Sequence, residues 1–116
     1  MDNKGVKYWL PKNRYYELKY YCLQYHYWQK LVNDKNANNT LQDRAKIAIY
    51  LVQNAIMCIN CDFNSDILLD CVTDGLTYEK LVEQYGNEPN HGLPDKKTFY
   101  DAYRKFFYFL SKSKGI

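Results

Sequence analysis

Apolar positions recur along this chain with helical spacing, and polar clusters divide them into segments. Leu18, Tyr21, Cys22, Tyr25, Trp28 and Val32 return every three or four residues, predicting a helix over 14–32 that starts after Pro11 and Asn13. A second series, Tyr16, Tyr20, Leu23, Tyr27 and Leu31, runs along its other side. One stripe is enough to pack a helix on a single core, so the second predicts a partner or dimer surface. The asparagine-rich stretch 33–39 reads as a loop. Thr40 is placed to cap a helix running to about Ile59, with Leu41, Ala45, Ala48, Ile49, Val52, Ala55, Ile56 and Ile59 facing inward and Ile47, Leu51 and Cys58 widening that stripe.

Asn64 or Ser65 can cap a short helix carrying Ile67, Leu68, Cys71 and Val72 inward, with Gly75 as its left-handed stop. Thr77 caps the next helix, Tyr78 to Tyr85, which packs through Leu81 and Val82 and closes at Gly86. Turn formers fill 86–94. Asp95 then starts a last helix, with Phe99, Ala102, Tyr103, Phe106, Phe109 and Leu110 inside and 111–116 frayed. No strand pattern occurs. The expected fold is all-α: a small helical bundle of about five helices in one domain, 1–116. Aromatic-rich helices occupy 12–61, and a helix-turn-helix-like region occupies 65–112.

Composition sharpens this picture in one respect. Tyrosine occurs thirteen times in 116 residues. A core of this size cannot hold them all, so several belong at a surface that meets something. The net charge of +3 is too small to imply nucleic acid, but it is unevenly placed. Residues 1–61 carry nine basic and four acidic side chains; 62–94 carry Lys80 against seven acids; 95–116 carry six basic side chains against Asp95 and Asp101. The amino end has charges but no apolar signal core, and no apolar run nears the roughly 20 residues of a membrane span. A cytoplasmic protein with reduced thiols is expected.

Catalytic and metal chemistry find little to work with. Cys58 and Cys61 have the spacing of a zinc half-site, but no second close pair completes it. His26 and His91 stand apart. Asp62, Asp66, Asp70 and Asp74 fall every four residues, which suits a solvated helix face. There is no glycine-rich phosphate loop. No enzyme activity, cofactor or metal is expected. The last helix is better supplied for DNA: Arg104 can address a guanine edge, Lys96, Lys97 and Lys105 can reach phosphates, and Tyr100 a base methyl or phosphate. Thr77 and Tyr78 begin a helix whose amino end favours an anion.

Residues 65–110 resemble the DNA-binding helix-turn-helix of bacterial sigma factors, their fourth conserved region. The likeness lies in Asp74-Gly75-Leu76-Thr77-Tyr78-Glu79-Lys80-Leu81 and in Phe99, Tyr103, Phe106 and Leu110 as inner positions of a recognition helix. It implies that Lys97, Tyr100, Asp101 and Arg104 face the groove. The whole chain, from KYWLPKNRYYELKYYCLQY to DKKTFYDAYRKFFYFLS, resembles small proteins of phages and prophages of low-GC Gram-positive bacteria. The leading expectation is therefore a phage-type transcriptional regulator reading duplex DNA with its last helix, as a dimer. The alternatives are a phage factor binding a host protein such as RNA polymerase or a defence nuclease, and an oligomeric structural or packaging accessory.

Overall fold

The computed structural model describes residues 8–59, 63–85 and 93–115, and the described residues form helices and no strands. The helices are α1 (Lys12–Cys22), α2 (Tyr25–Asn33), α3 (Asn39–Ile59), α4 (Ser65–Asp74), α5 (Tyr78–Tyr85) and α6 (Lys96–Lys114). The all-α bundle expected from the pattern is the fold. The helix expected over 14–32 is two helices, because the chain tightens at Leu23–Gln24. There the Gln24 amide reaches back to the Tyr21 carbonyl, and Gln24 sits at φ −85°, ψ 0°. Neither proline nor glycine marks this break.

Caps set the other boundaries. Asn38, not Thr40, starts α3: its side-chain oxygen accepts from the Thr40 amide at 2.7 Å. Asn64 accepts from the Asp66 amide at 3.0 Å, and Thr77 from the Lys80 amide at 3.2 Å. α4 ends at Gly75, φ +69°, where the Leu76 amide closes onto the Cys71 carbonyl at 2.9 Å. A Cβ on Gly75 would lie 2.9 Å from the Leu23 side chain, so the stop also lets α1 approach closely. The expected end of α5 at Gly86 lies outside the described residues.

α3 is the spine. Its inner face, Ala45, Ala48, Val52, Ala55, Ile56 and Ile59, is buried against α2 on one side and α6 on the other. α1 lies across α6 and α4. The molecule measures 43 × 39 × 21 Å, and the short dimension is about two helix diameters. A two-layer slab leaves outer helix faces uncovered. Leu41, Ile47 and Cys58, expected inward, are exposed for this reason, and so is Val82 on α5.

The core between α1 and α6 is aromatic. Phe99, Phe106 and Phe107 are fully buried, and Tyr15 packs edge-on against Phe107 at 5.2 Å. Phe107, which the pattern left off the inner face, is thus a core residue, while Phe109 is only half-buried. Residues 111–115 are not frayed: α6 continues to Lys114 and stops at Gly115, φ +77°, while Ile116 lies outside the described residues. Ser111 is buried, and the Lys114 ammonium lies 3.6 Å from the Tyr21 ring centre. Among the described residues no helix is long and apolar enough to cross a membrane.

Candidate nucleic-acid interface

α6 has one face committed to the core and one to solvent. Phe99, Ala102, Tyr103, Phe106, Phe107, Leu110 and Ser111 are buried. Three- and four-residue steps place Lys97, Asp101, Arg104, Lys105, Tyr108 and Lys112 along the opposite side. Lys97, Arg104 and Lys112 are exposed; Asp101, Lys105 and Tyr108 are half-exposed. Four cations and one acid therefore share a stripe down a 19-residue helix, which is roughly 28 Å long.

Several of these side chains already have neighbours. Arg104 pairs with Asp101 one turn before it. The Lys105 ammonium lies over the Tyr8 ring at 5.4 Å, and Lys112 over Tyr108 at 5.3 Å. Tyr8 also meets Tyr108 edge-on at 5.3 Å, which seats Tyr8 on the second half of α6. Lys97 projects to solvent from the first turn.

The amino ends of α5 and α6 lie together. Lys96 Nζ is 2.9 Å from Glu79 Oε1. The hydrogen bond from Lys96 holds the Glu79 carboxyl below its ordinary range and raises the Lys96 ammonium in return. The Tyr78 amide donates to the Tyr100 hydroxyl at 3.3 Å, the Tyr78 hydroxyl donates to the Pro94 carbonyl at 2.7 Å, and the Tyr78 ring packs on Phe99 at 5.5 Å. Tyr78 and Tyr100 thus act as the joint between the two helices. At the amino end of α5, where Thr77 and Tyr78 are expected to favour an anion, the Tyr78 amide is engaged by Tyr100 and the Lys80 amide by Thr77. Asp95 holds the cap position of α6 without a short capping bond; the Thr98 hydroxyl and nearby amides hold its carboxyl below its usual value.

No local spacing points to the Glu79–Lys96 pair or the Tyr78–Tyr100 contact, because their partners lie 17 and 22 residues apart in the chain. The spacing of α6 did reveal its outward face.

The stripe Tyr16, Tyr20, Leu23, Tyr27 and Leu31 is divided by the Leu23–Gln24 break. Tyr16, Tyr20 and Leu23 line a groove of about 190 Å³ with Lys19, Tyr103 and Phe107. Tyr27 and Leu31 line another of about 300 Å³ with Trp28 and Leu41, between α2 and α3. His26, off both grooves, bonds Asp74 at 2.7 Å and ties α2 to the end of α4.

Cys22 and Cys71 are buried, and burial pushes each thiol up to about 12. Cys58 is exposed. Its expected zinc-spacing mate Cys61, together with Asp62 and His91, lies outside the described residues. Among the described residues no three His, Cys, Asp or Glu side chains gather. No family model matches the chain, and no curated protein or solved structure matches it.

Proposed function

We propose that the protein is a DNA-binding regulator of the phage type, acting in the cytoplasm without catalysis or cofactor, and that α6 reads duplex DNA. The observation that carries this reading is the outward stripe Lys97, Arg104, Lys105 and Lys112 on a helix whose other side is locked in the core. A helix so held is a rigid probe, and the major groove admits one. Arg104 would exchange Asp101 for the O6 and N7 edge of a guanine. Lys97 and Lys112, at opposite ends of the stripe, would take phosphates and fix the register. Lys96, tethered to Glu79, and the Tyr78–Tyr100 joint would hold α5 against the start of the reading helix. Thr77 serves that joint by capping α5.

The test is titration of a selected duplex with wild type, Arg104→Ala and Lys97→Ala. Loss of sequence preference in the first, and a uniform weakening with a shallower salt slope in the second, support the assignment. Equal binding by all three rejects it.

A second reading is favoured by a different observation. Tyr16, Tyr20, Leu23, Tyr27, Ile47, Tyr50 and Met57 are large apolar side chains open to solvent. Such surface suits a protein partner. A stoichiometric host protein retained from extract after nuclease treatment, with no duplex selected, would favour this reading, in which the chain modifies or inhibits that protein. Large stable homo-oligomers without either would favour a structural or packaging role.

A further inference from the structure

α3 carries two apolar faces, and the bundle uses one. On the outer face Ile47 is 60% exposed, Tyr50 63% and Met57 78%. With half-buried Asn54 between them, these positions are spaced three, four and three residues apart. That is the alternation of seam positions in a coiled coil. Leu51 and Cys58 flank it on one side, and Gln53 and Lys46 on the other. α2, α4 and α6 all pack with α3, and its buried residues belong to the inner face. The outer face is therefore a coiled-coil seam with one strand missing.

We infer that this seam docks a second copy of the chain, antiparallel, across a twofold axis crossing α3 at the level of Val52. Charge and register select the arrangement. The seam position one turn before Ile47 is Asp43, which is exposed. A parallel pair would set Asp43 against the partner's Asp43 inside the seam, a repulsion between like charges. The antiparallel pair carries each Asp43 to an end, away from its mate. It sets Ile47 against the partner's Met57 and Tyr50 against the partner's Asn54. Apolar layers thus meet apolar layers at both ends, and a phenol meets an amide in the middle. The twofold repeats this pair, so two adjacent middle layers each match a phenol with an amide that can satisfy it, and polar groups inside such a seam fix its register. Leu51 and Gln53, which lie nearest the axis, carry no charge.

The same surface patch on both copies makes a closed dimer. The ten steps from Ile47 to Met57 span roughly 15 Å. That is short beside an interface removing about 800 Å² from each partner, so the dimer is weak and concentration-dependent, micromolar rather than nanomolar. α6 packs on the opposite face of α3, so its basic stripe stays free in the dimer, one on each copy. The aromatic positions of α1 and α2 are not part of this seam.

Sedimentation equilibrium over a range of protein concentrations tests the inference without reference to DNA. Wild type should pass from monomer to dimer. Ile47→Glu and Met57→Glu should each weaken association about tenfold or more, with unchanged far-ultraviolet dichroism because both sites are exposed. Tyr20→Glu should leave it intact. In a background with Cys58→Ser and Cys61→Ser, Ile47→Cys combined with Met57→Cys should cross-link on oxidation, and neither alone should. Wild type that stays monomeric to millimolar concentration, or association lost in Tyr20→Glu and kept in Ile47→Glu, overturns the inference. Cross-linking by the single variants overturns the antiparallel register. The DNA reading stands or falls separately.

Discussion

Lys96 at the start of α6 meets Glu79 in the first turn of α5, with 2.9 Å between ammonium and carboxylate. The contact binds α6 to α5 and at the same time occupies a cation at the tip of α6. Both groups are exposed, so the pair does little for stability. Its effect falls on the surface potential. Glu79→Gln should leave the fold unchanged and strengthen duplex binding. The plot of log affinity against log salt should steepen by about 0.9 for the one phosphate Lys96 can then neutralise. An unchanged slope would mean that Lys96 does not lie at the DNA surface.

Gly75 joins two constraints, a left-handed backbone and a Leu23 methyl 2.9 Å from where a Cβ would be. Gly75→Ala should cost about 1–2 kcal/mol from the backbone alone, and more where Leu23 must shift. Urea denaturation measures it. A neutral result would mean that the end of α4 adopts another conformation and that α1 does not press on it.

Phe107 tests the aromatic core between α1 and α6. It is 1% exposed and meets Tyr15, Tyr103 and Phe106 edge-on. Phe107→Ala should destabilise by about 3–5 kcal/mol. Phe109→Ala, at a half-buried site, should cost distinctly less. The order of the two melting temperatures decides the matter, since the pattern of the sequence favours the reverse order.

The buried thiols give the fold an alkaline limit. Below the ordinary thiol value of 9.0, Cys22 and Cys71 are neutral whether the chain is folded or not. Above it the unfolded chain releases both protons, while burial makes the folded chain keep them to about 12. The folded state then binds more protons, so stability falls as pH rises through the window from 9 to 12, by up to about 1.4 kcal/mol per pH unit for each thiol. Tyr103, raised by burial and by its hydrogen bond to Tyr15, adds to the fall. Urea midpoints at pH 8 and pH 10.5 should differ, and the difference should shrink in Cys22→Ala with Cys71→Ala. In the native state at pH 8, Cys58 should react with a maleimide while Cys22 and Cys71 should not.

What the sequence disclosed was mostly local. Asn64, Gly75 and Thr77 announce their caps because a cap is made by a side chain and amides two or three residues away. An asparagine-rich loop offers several candidate caps, so the pattern alone points to Thr40 where Asn38 makes the bond. The Leu23–Gln24 break leaves no trace, because both residues keep right-handed dihedrals and the apolar period runs on through Leu23 and Tyr25. The pattern places Ile47 on the inner stripe and leaves Phe107 off it for a related reason. Periodicity finds every apolar stripe on a helix but does not say which the fold covers. That depends on how many layers the bundle has. At the candidate interface, Lys96, Arg104 and Lys105 are legible from helical spacing, whereas their partners Glu79, Asp101 and Tyr8 emerge only with the packing or the rotamers.

The most direct measurement is selection from random duplex DNA by purified wild type and by Arg104→Ala, followed by salt titration of whatever is enriched. The expected result is one recurrent site for wild type with a steep salt dependence. Arg104→Ala should lose about 1–3 kcal/mol at one base pair and accept other bases there. No enrichment by the wild type, or an identical site and affinity for Arg104→Ala, would contradict the reading of α6 as the helix that recognises DNA.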